Sequence, residues 1–322
     1  MLKINPLSTL YVGIDVSSKS NYVCALDFYK NKYINSSFAN NQPGAEELAL
    51  KILECLKEHP DITTIVAALE STSVYSIHIA NYLSSCEELM RFKPYVFVLN
   101  PKCTANYKKS YIGLGKSDPI DAFVIADYAR AGNIESEPWR GSQFLALKRL
   151  TRHRLHLVEC MTREKTYLVS NLYLKFSELQ MLEGDDQPFC DIYGATSSSV
   201  LMEYFSPEEI LDSSEEDLIA FLAKKSRNRI KDISKTADLL KKAARDSYRL
   251  DKALYEPLNV SIASSFNCIE TFKREIKVID NAIEKEIKGL NPNAFIILQS
   301  IDGIGPVFAG GIIAEIGDIT AF

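Results

Sequence analysis

Leu10-Tyr11-Val12-Gly13-Ile14-Asp15-Val16 is a short apolar run that carries one aspartate. Its length and content suit a β-strand. The polar turn Ser17-Ser18-Lys19-Ser20 follows, then a second apolar run at 21–27 (NYVCALD) and a third strand candidate at 33–38. Short connections make these three consecutive antiparallel strands. After a loop at 40–44, residues 45–58 place Leu48, Ile52, Leu53 and Leu56 at helical spacing. Residues 62–69 (ITTIVAAL) form a continuous β-rich run of the kind buried in a sheet centre, and it ends at Glu70. A helix over 76–88, a strand over 95–99, a Lys- and Tyr-rich loop over 102–116 and a helix to about Arg130 complete the pattern. The order β-β-β-α-β-α-β-loop-α predicts one α/β domain, residues 8–135, with a mixed sheet flanked by helices.

The last of these helices opens with Lys116-Ser117-Asp118-Pro119-Ile120-Asp121-Ala122. Positions i and i+3 share a helix face, so Asp118 and Asp121 can point at one spot. The plain alternative is that Asp118 caps the helix and Asp121 sits near its positive end. Asp15 and Glu70 weigh against that alternative. A charge in an apolar strand costs free energy unless it is paired or bound to a cation. Four converging carboxylates would repel one another, and divalent cations are the natural remedy. Mg²⁺, with Mn²⁺ as a substitute, takes oxygen ligands, and two such ions about 4 Å apart stabilise the attacking and leaving oxygens of phosphoryl transfer.

With 322 residues the chain is long enough for more than one domain. Its net charge of −5 argues against a uniformly basic coat, but the charges are segregated. Residues 138–176 carry eight Lys/Arg against two Glu, residues 178–217 carry twelve acidic residues and no Lys or Arg, and residues 224–252 carry eleven Lys/Arg against four Asp. Another long helix is predicted over 260–290. Together these give a helical connector over 138–290 with an acidic insertion at 176–218, the two basic stretches forming the arms of a helical hairpin. Like charges along a helix repel unless an anion binds, which makes Arg149, Arg152 and Arg154 candidate nucleic-acid contacts. Lys102, Lys108, Lys109 and Lys116 of the Lys/Tyr loop are further candidates, against the alternative of a solvated loop. For 224–252 the acidic segment offers an internal partner. His153 and His156 read as a polar helix face, and Trp139 as an anchor for the connector.

Residues 294–322 show a short apolar helix, a Gly303-Ile304-Gly305 turn and a small-residue helix from Pro306, a helix-hairpin-helix pattern. Glycines here let backbone amides approach a phosphate. The apolar second helix calls for further elements to cover it. Seven scattered cysteines, none in a C-x-x-C arrangement, predict reduced thiols with no zinc ribbon. No signal-peptide core and no run of about 18 apolar residues is present, so the expectation is a cytoplasmic protein without a membrane span.

GIDVS, ALEST and KSDPIDA, on this strand order, resemble the D-E-D-D set of a ribonuclease-H-like, RuvC-like domain. More narrowly, the chain resembles the IS110 family of bacterial insertion-sequence transposases, relatives of the Piv-type DNA invertases. The resemblance spans about 8–131 and 294–322. It implies that Asp15, Glu70, Asp118 and Asp121 are catalytic and ligate Mg²⁺ near the scissile phosphate of DNA. It also implies a structured guide RNA, a homo-oligomer, and a serine nucleophile placed beside a partner subunit's acidic site. That serine motif lies downstream of the glycine turn in the family. None of Ser261, Ser264, Ser265 and Ser300 matches it, so no nucleophile is assigned and a C-terminal truncation is expected. Three functions follow: an RNA-guided transposase or recombinase, a RuvC-like nuclease using water, or a non-catalytic nucleic-acid-binding remnant.

Overall fold

The computed structural model describes residues 4–113 and 115–316. The chain divides into two compact units, Met1–Ala146 with Ala314–Phe322, and Leu147–Ile313.

The first unit contains β1 (Thr9–Val16), β2 (Ser20–Leu26), β3 (Lys32–Ala39), α1 (Gln42–Glu58), β4 (Thr64–Glu70), α2 (Tyr75–Ser85), α3 (Glu87–Met90), β5 (Tyr95–Leu99), α4 (Pro101–Lys108) and α5 (Asp118–Arg130). The strands form one mixed sheet in the order β3-β2-β1-β4-β5. β1 pairs antiparallel with β2, and β2 with β3, while β4 runs parallel to both β1 and β5. The α/β domain expected from the strand pattern is therefore present.

Alternate side chains of a strand face opposite sides of the sheet. Leu10, Val12, Ile14 and Val16 of β1 pack with Leu48 and Ile52 of α1 and with Ile79 and Leu83 of α2. Tyr11 faces the other way, toward Ala122, Ile125 and Ala126 of α5. β4 divides in the same manner, with Ile65, Ala67 and Leu69 on the α1 side and Val66 and Ala68 on the α5 side. Gly13 lies on the α5 side. A Cβ there would sit 2.2 Å from the Ala122 carbonyl oxygen and 2.3 Å from the Ala126 nitrogen. Only a residue without a side chain lets α5 approach β1 this closely.

Two local expectations are corrected. The Lys/Tyr stretch begins as the helix α4 and not as a loop: Asn100 accepts from the Lys102 amide at 3.0 Å, and Pro101 occupies the first turn. This cap-and-proline start is favourable without any apolar periodicity to advertise it. The helix expected over 76–88 breaks at Cys86, whose extended ψ of 113° separates α2 from α3.

The second unit is built on α6 (Ser142–Lys175), α7 (Ala195–Glu203), α8 (Pro207–Asp212), α9 (Glu215–Ser226), α10 (Ile233–Asp246), α11 (Lys252–Leu290), α12 (Pro292–Gln299) and α13 (Pro306–Ile316). Lys175 donates to Asn259, and Arg154 pairs with Asp280. Stepping back 21 residues along α6 thus moves the contact forward 21 along α11, the mark of an antiparallel hairpin. Ile262, Ile269, Ile276 and Ile283 are buried at seven-residue steps, the period of a coiled-coil seam. At one end Leu168 and Leu172 of α6 and Phe176 just after it, with Ile262 and Phe266 of α11, pack against Leu201, Leu218, Leu222 and Leu240 of α7, α9 and α10.

The second arm of the hairpin is therefore α11, not the basic stretch 224–252. That stretch is broken by Arg227 and Asn228, both left-handed (φ 54° and 57°), and restarts at Asp232, which caps α10 through the Lys235 amide at 2.9 Å. It sits with the acidic segment at the hairpin's tip. Arg249 pairs with Glu208 at 3.0 Å, Lys242 with Asp186 at 3.9 Å, and Lys225 with Glu203, so part of the stretch's charge is met by the acidic segment.

The apolar helix α13 is partly covered from within the unit. Ala309 and Ile313 are buried, and a Cβ on Gly310 would meet Ile283 at 2.6 Å, with Ile287 and Leu147 next. The base of the hairpin covers its small-residue face, while Phe308 remains 71% exposed. Residues 317–322 of the C-terminal segment, and Leu114 in the Lys/Tyr stretch, lie outside the described residues. No described helix is long and apolar enough to cross a membrane.

Candidate metal centre

Asp15 lies two residues beyond Gly13 and so takes the same face of the sheet, the one α5 covers. The parallel pairing of β1 with β4 runs to Ile14 opposite Leu69, and the next residues on each strand are Asp15 and Glu70. Close packing of Ala122 and Ala126 on Gly13 sets the first turn of α5, with Asp118 and Asp121, toward Asp15. The electrostatics agree. Burial first, then the charges of Asp121, Asp118 and Glu70, raise the Asp15 carboxyl to about 6, with Lys108 offsetting part of the rise. The fold thus brings the four acidic residues within electrostatic reach of one another.

The capping reading of Asp118 is corrected. Ser117 holds the N-cap position, and neither it nor either aspartate makes a side-chain cap; the Ser117 carbonyl accepts from the Ile120 and Asp121 amides at 2.9 Å each. Two of the carboxylates are instead engaged by α4. Lys108 Nζ lies 2.5 Å from Asp121 Oδ1, and Thr104 Oγ1 donates to Glu70 Oε1. Among the described residues no three His, Cys, Asp or Glu side chains are gathered as a finished metal cage. The donor chemistry nonetheless fits a hard divalent cation: four carboxylates, one of them half-buried and strained by its neighbours' charge.

Asp127 is a functional-domain residue that the sequence reading missed. It is fully buried on α5, where it accepts from Arg130 Nε at 2.6 Å, from Tyr107 at 2.9 Å and from Tyr111, and pairs with Lys30 at 3.2 Å. Burial alone would raise its pKa; bonds from Tyr111, Arg130, Tyr107 and Lys30 outweigh burial and hold it below the ordinary carboxylate value. The available signal was a lone aspartate among the apolar positions Val124, Ile125, Ala126 and Ala129. Tyr107 and Tyr111, expected in a loop facing nucleic acid, turn inward to this aspartate.

The basic candidates have different fates. Lys102, Lys109 and Lys116 are exposed, with Lys109 donating to Asn106 at 3.0 Å. Arg149 and Arg152 are exposed on α6. Arg154 pairs with Asp280. Gly303 adopts φ +87°, and a Cβ on Gly303 or Gly305 would meet nothing within 4 Å, so the turn between α12 and α13 is open. The rings of His153 and His156 stack at 6.1 Å. Trp139 donates from its indole to Asn81 at 2.7 Å and packs on the sheet core, an anchor as expected.

No curated protein matches the chain. A family model described as a transposase, the DEDD transposase of the IS110 type, matches residues 12–177, just over half of the chain. The matched span takes in Asp15, Glu70, Asp118 and Asp121 together with β1 through α6. The chain therefore belongs to the IS110-type DEDD transposases, and membership implies insertion-sequence transposase or recombinase activity, DNA binding and dependence on a divalent metal.

Proposed function

We propose that the first unit is a ribonuclease-H-like domain of the RuvC kind, whose Asp15, Glu70, Asp118 and Asp121 bind Mg²⁺ or Mn²⁺ for phosphoryl transfer on DNA. The sheet order β3-β2-β1-β4-β5, with three antiparallel strands followed by two parallel ones, supports the domain assignment. One observation carries the metal assignment: Asp15 is half-buried and faces the charge of three other carboxylates. A bound cation would neutralise that repulsion and stabilise charge developing on the phosphoryl oxygens. The chain's own residues supply the placement. β1 and β4 hold Asp15 and Glu70 on rigid neighbouring strands, and α5 presents Asp118 and Asp121 from a single turn.

Nucleic acid is the anionic partner in this reading. Lys102 and Lys109 lie at the two ends of α4 and Lys116 just before α5, while Arg149 and Arg152 lie along α6. The open turn at Gly303 and Gly305 presents backbone amides for a phosphate, as a helix-hairpin-helix does. The resemblance to the family supports a structured guide RNA as well as DNA, and a homo-oligomeric assembly.

Asp121→Asn tests the metal assignment. The variant is expected to keep its far-UV circular dichroism and to lose Mg²⁺ binding in isothermal titration. Undiminished affinity would overturn it.

A further inference from the structure

Thr104 and Lys108 are four residues apart on α4 and so share one helix face. That face is turned to two of the four carboxylates: Thr104 Oγ1 donates to Glu70, and Lys108 Nζ reaches Asp121 at 2.5 Å. Lys108 and Asp121 are both largely shielded, their side chains 22% and 25% exposed, unlike an ordinary surface ion pair. The same ammonium also offsets the charge on Asp15.

This placement is built in. Tyr107, beside Lys108, and Tyr111, one turn further on, both donate to the buried Asp127 of α5. Their rings meet edge to face, and Tyr107 does the same with Tyr128 of α5. Lys30 and Arg130 complete the neutralisation of Asp127. The end of α4 is therefore fastened to α5 one and a half turns past Asp121, and Lys108 is held over the acidic centre.

We infer that α4 is an internal placeholder for the divalent cation, Lys108 lending its charge to Asp121 and Thr104 its hydroxyl to Glu70 until an ion displaces both. This inference rests on the metal reading above and deepens it. Lys108 is a positioning residue in this scheme. It offsets the repulsion among the carboxylates and sets the concentration of metal needed to assemble the centre. An ion entering the centre must break both contacts, so they count against its affinity. The lysine's assignment as a nucleic-acid contact gives way to this role in the metal-free protein.

The test is isothermal titration of the full chain with Mn²⁺, with far-UV circular dichroism as the control for folding. Lys108→Met is expected to bind Mn²⁺ about five- to tenfold more tightly than the parent, as expected when a shielded competing ion pair is removed. Thr104→Val, which keeps shape and removes the hydroxyl, is expected to shift affinity in the same direction and covers the case in which Lys108→Met fails to fold. Lys108→Arg keeps the charge and should keep the parent's affinity, and Lys109→Met, at the exposed neighbour, should leave Mn²⁺ affinity unchanged. If the parent binds Mn²⁺ and neither Lys108→Met nor Thr104→Val binds it more tightly, the placeholder is wrong and the metal centre stands. If the parent binds no Mn²⁺, the metal reading falls and the placeholder with it.

Discussion

Gly13 and Ala122 meet backbone to backbone: a Cβ on the glycine would lie 2.2 Å from the alanine's carbonyl oxygen. The contact fixes how α5 crosses β1, and with it the distance from Asp15 to the first turn of the helix. Structure and chemistry depend here on one missing side chain.

Gly13→Ala is accordingly expected to destabilise the domain by about 3 kcal/mol, the upper range of overpacking costs, because helix backbone has to move rather than a flexible side chain. Metal binding should weaken with it as Asp118 and Asp121 shift. Chemical denaturation and titration calorimetry check both; a loss below about 1 kcal/mol would show that the helix can slide freely.

Asp15→Asn should act in the opposite sense on the metal-free protein. It removes the half-buried member of a repelling set, so stability at neutral pH in the presence of a chelator should rise. The gain is about 1 kcal/mol after allowance for solvent screening of a partly exposed group. Added Mn²⁺ should stabilise the parent and leave Asp15→Asn unmoved. Thermal melts with and without metal read both effects, and a variant less stable than the parent in chelator would contradict them.

The acidic centre shows how far local pattern reaches. Asp15 and Glu70 were legible because charged residues at the ends of apolar strands are costly, and Asp118 and Asp121 because their spacing puts them on one helix face. Asp127 was not legible, since its partners Lys30, Tyr107, Tyr111 and Arg130 come together only after α4 and the β2–β3 turn have packed against α5. The hairpin's arms were half legible for a related reason. Helical periodicity marks α6 and α11, but charge alone could not tell an arm from a tip.

Lys175 gives a pH signature in the second unit. The residue is 3% exposed, and its ammonium donates to the carbonyls of Leu201 and Tyr204 at 2.7 and 2.6 Å and to Asn259. Burial lowers its pKa from 10.5 to about 8. Between those values the unfolded chain holds a proton that the folded chain has released, so this group makes stability rise with pH across that window, by up to about 3 kcal/mol. Lys175→Met should lack that rise. Denaturant titrations of both proteins at about pH 7.5 and about pH 9.5 give the difference, in which the buried thiols of Cys24 and Cys55, which act in the opposite direction, cancel. Parallel slopes for the two proteins would refute the assignment.

Binding to nucleic acid should fall steeply and log-linearly with salt, as backbone neutralisation requires. Arg149→Ala, at an exposed position on α6, is expected to weaken binding uniformly across sequences and to reduce the salt slope by about one. Fluorescence anisotropy with DNA and with RNA over a salt series reads the slope; an unchanged slope would remove Arg149 from the interface.

What the sequence by itself determined is the five strands, the long helices α1, α5, α6 and α11 and the order of the acidic residues, because strand alternation, helix spacing and the cost of a charge in an apolar strand are local. Tertiary structure alone decided the rest. It placed Lys108 and Thr104 on the carboxylates, turned two tyrosines from an expected surface into a buried anchor, and paired part of the second basic stretch with the acidic one. Each of these is a contact between residues far apart in the chain, and its sign depends on distance and shielding, which no local pattern carries.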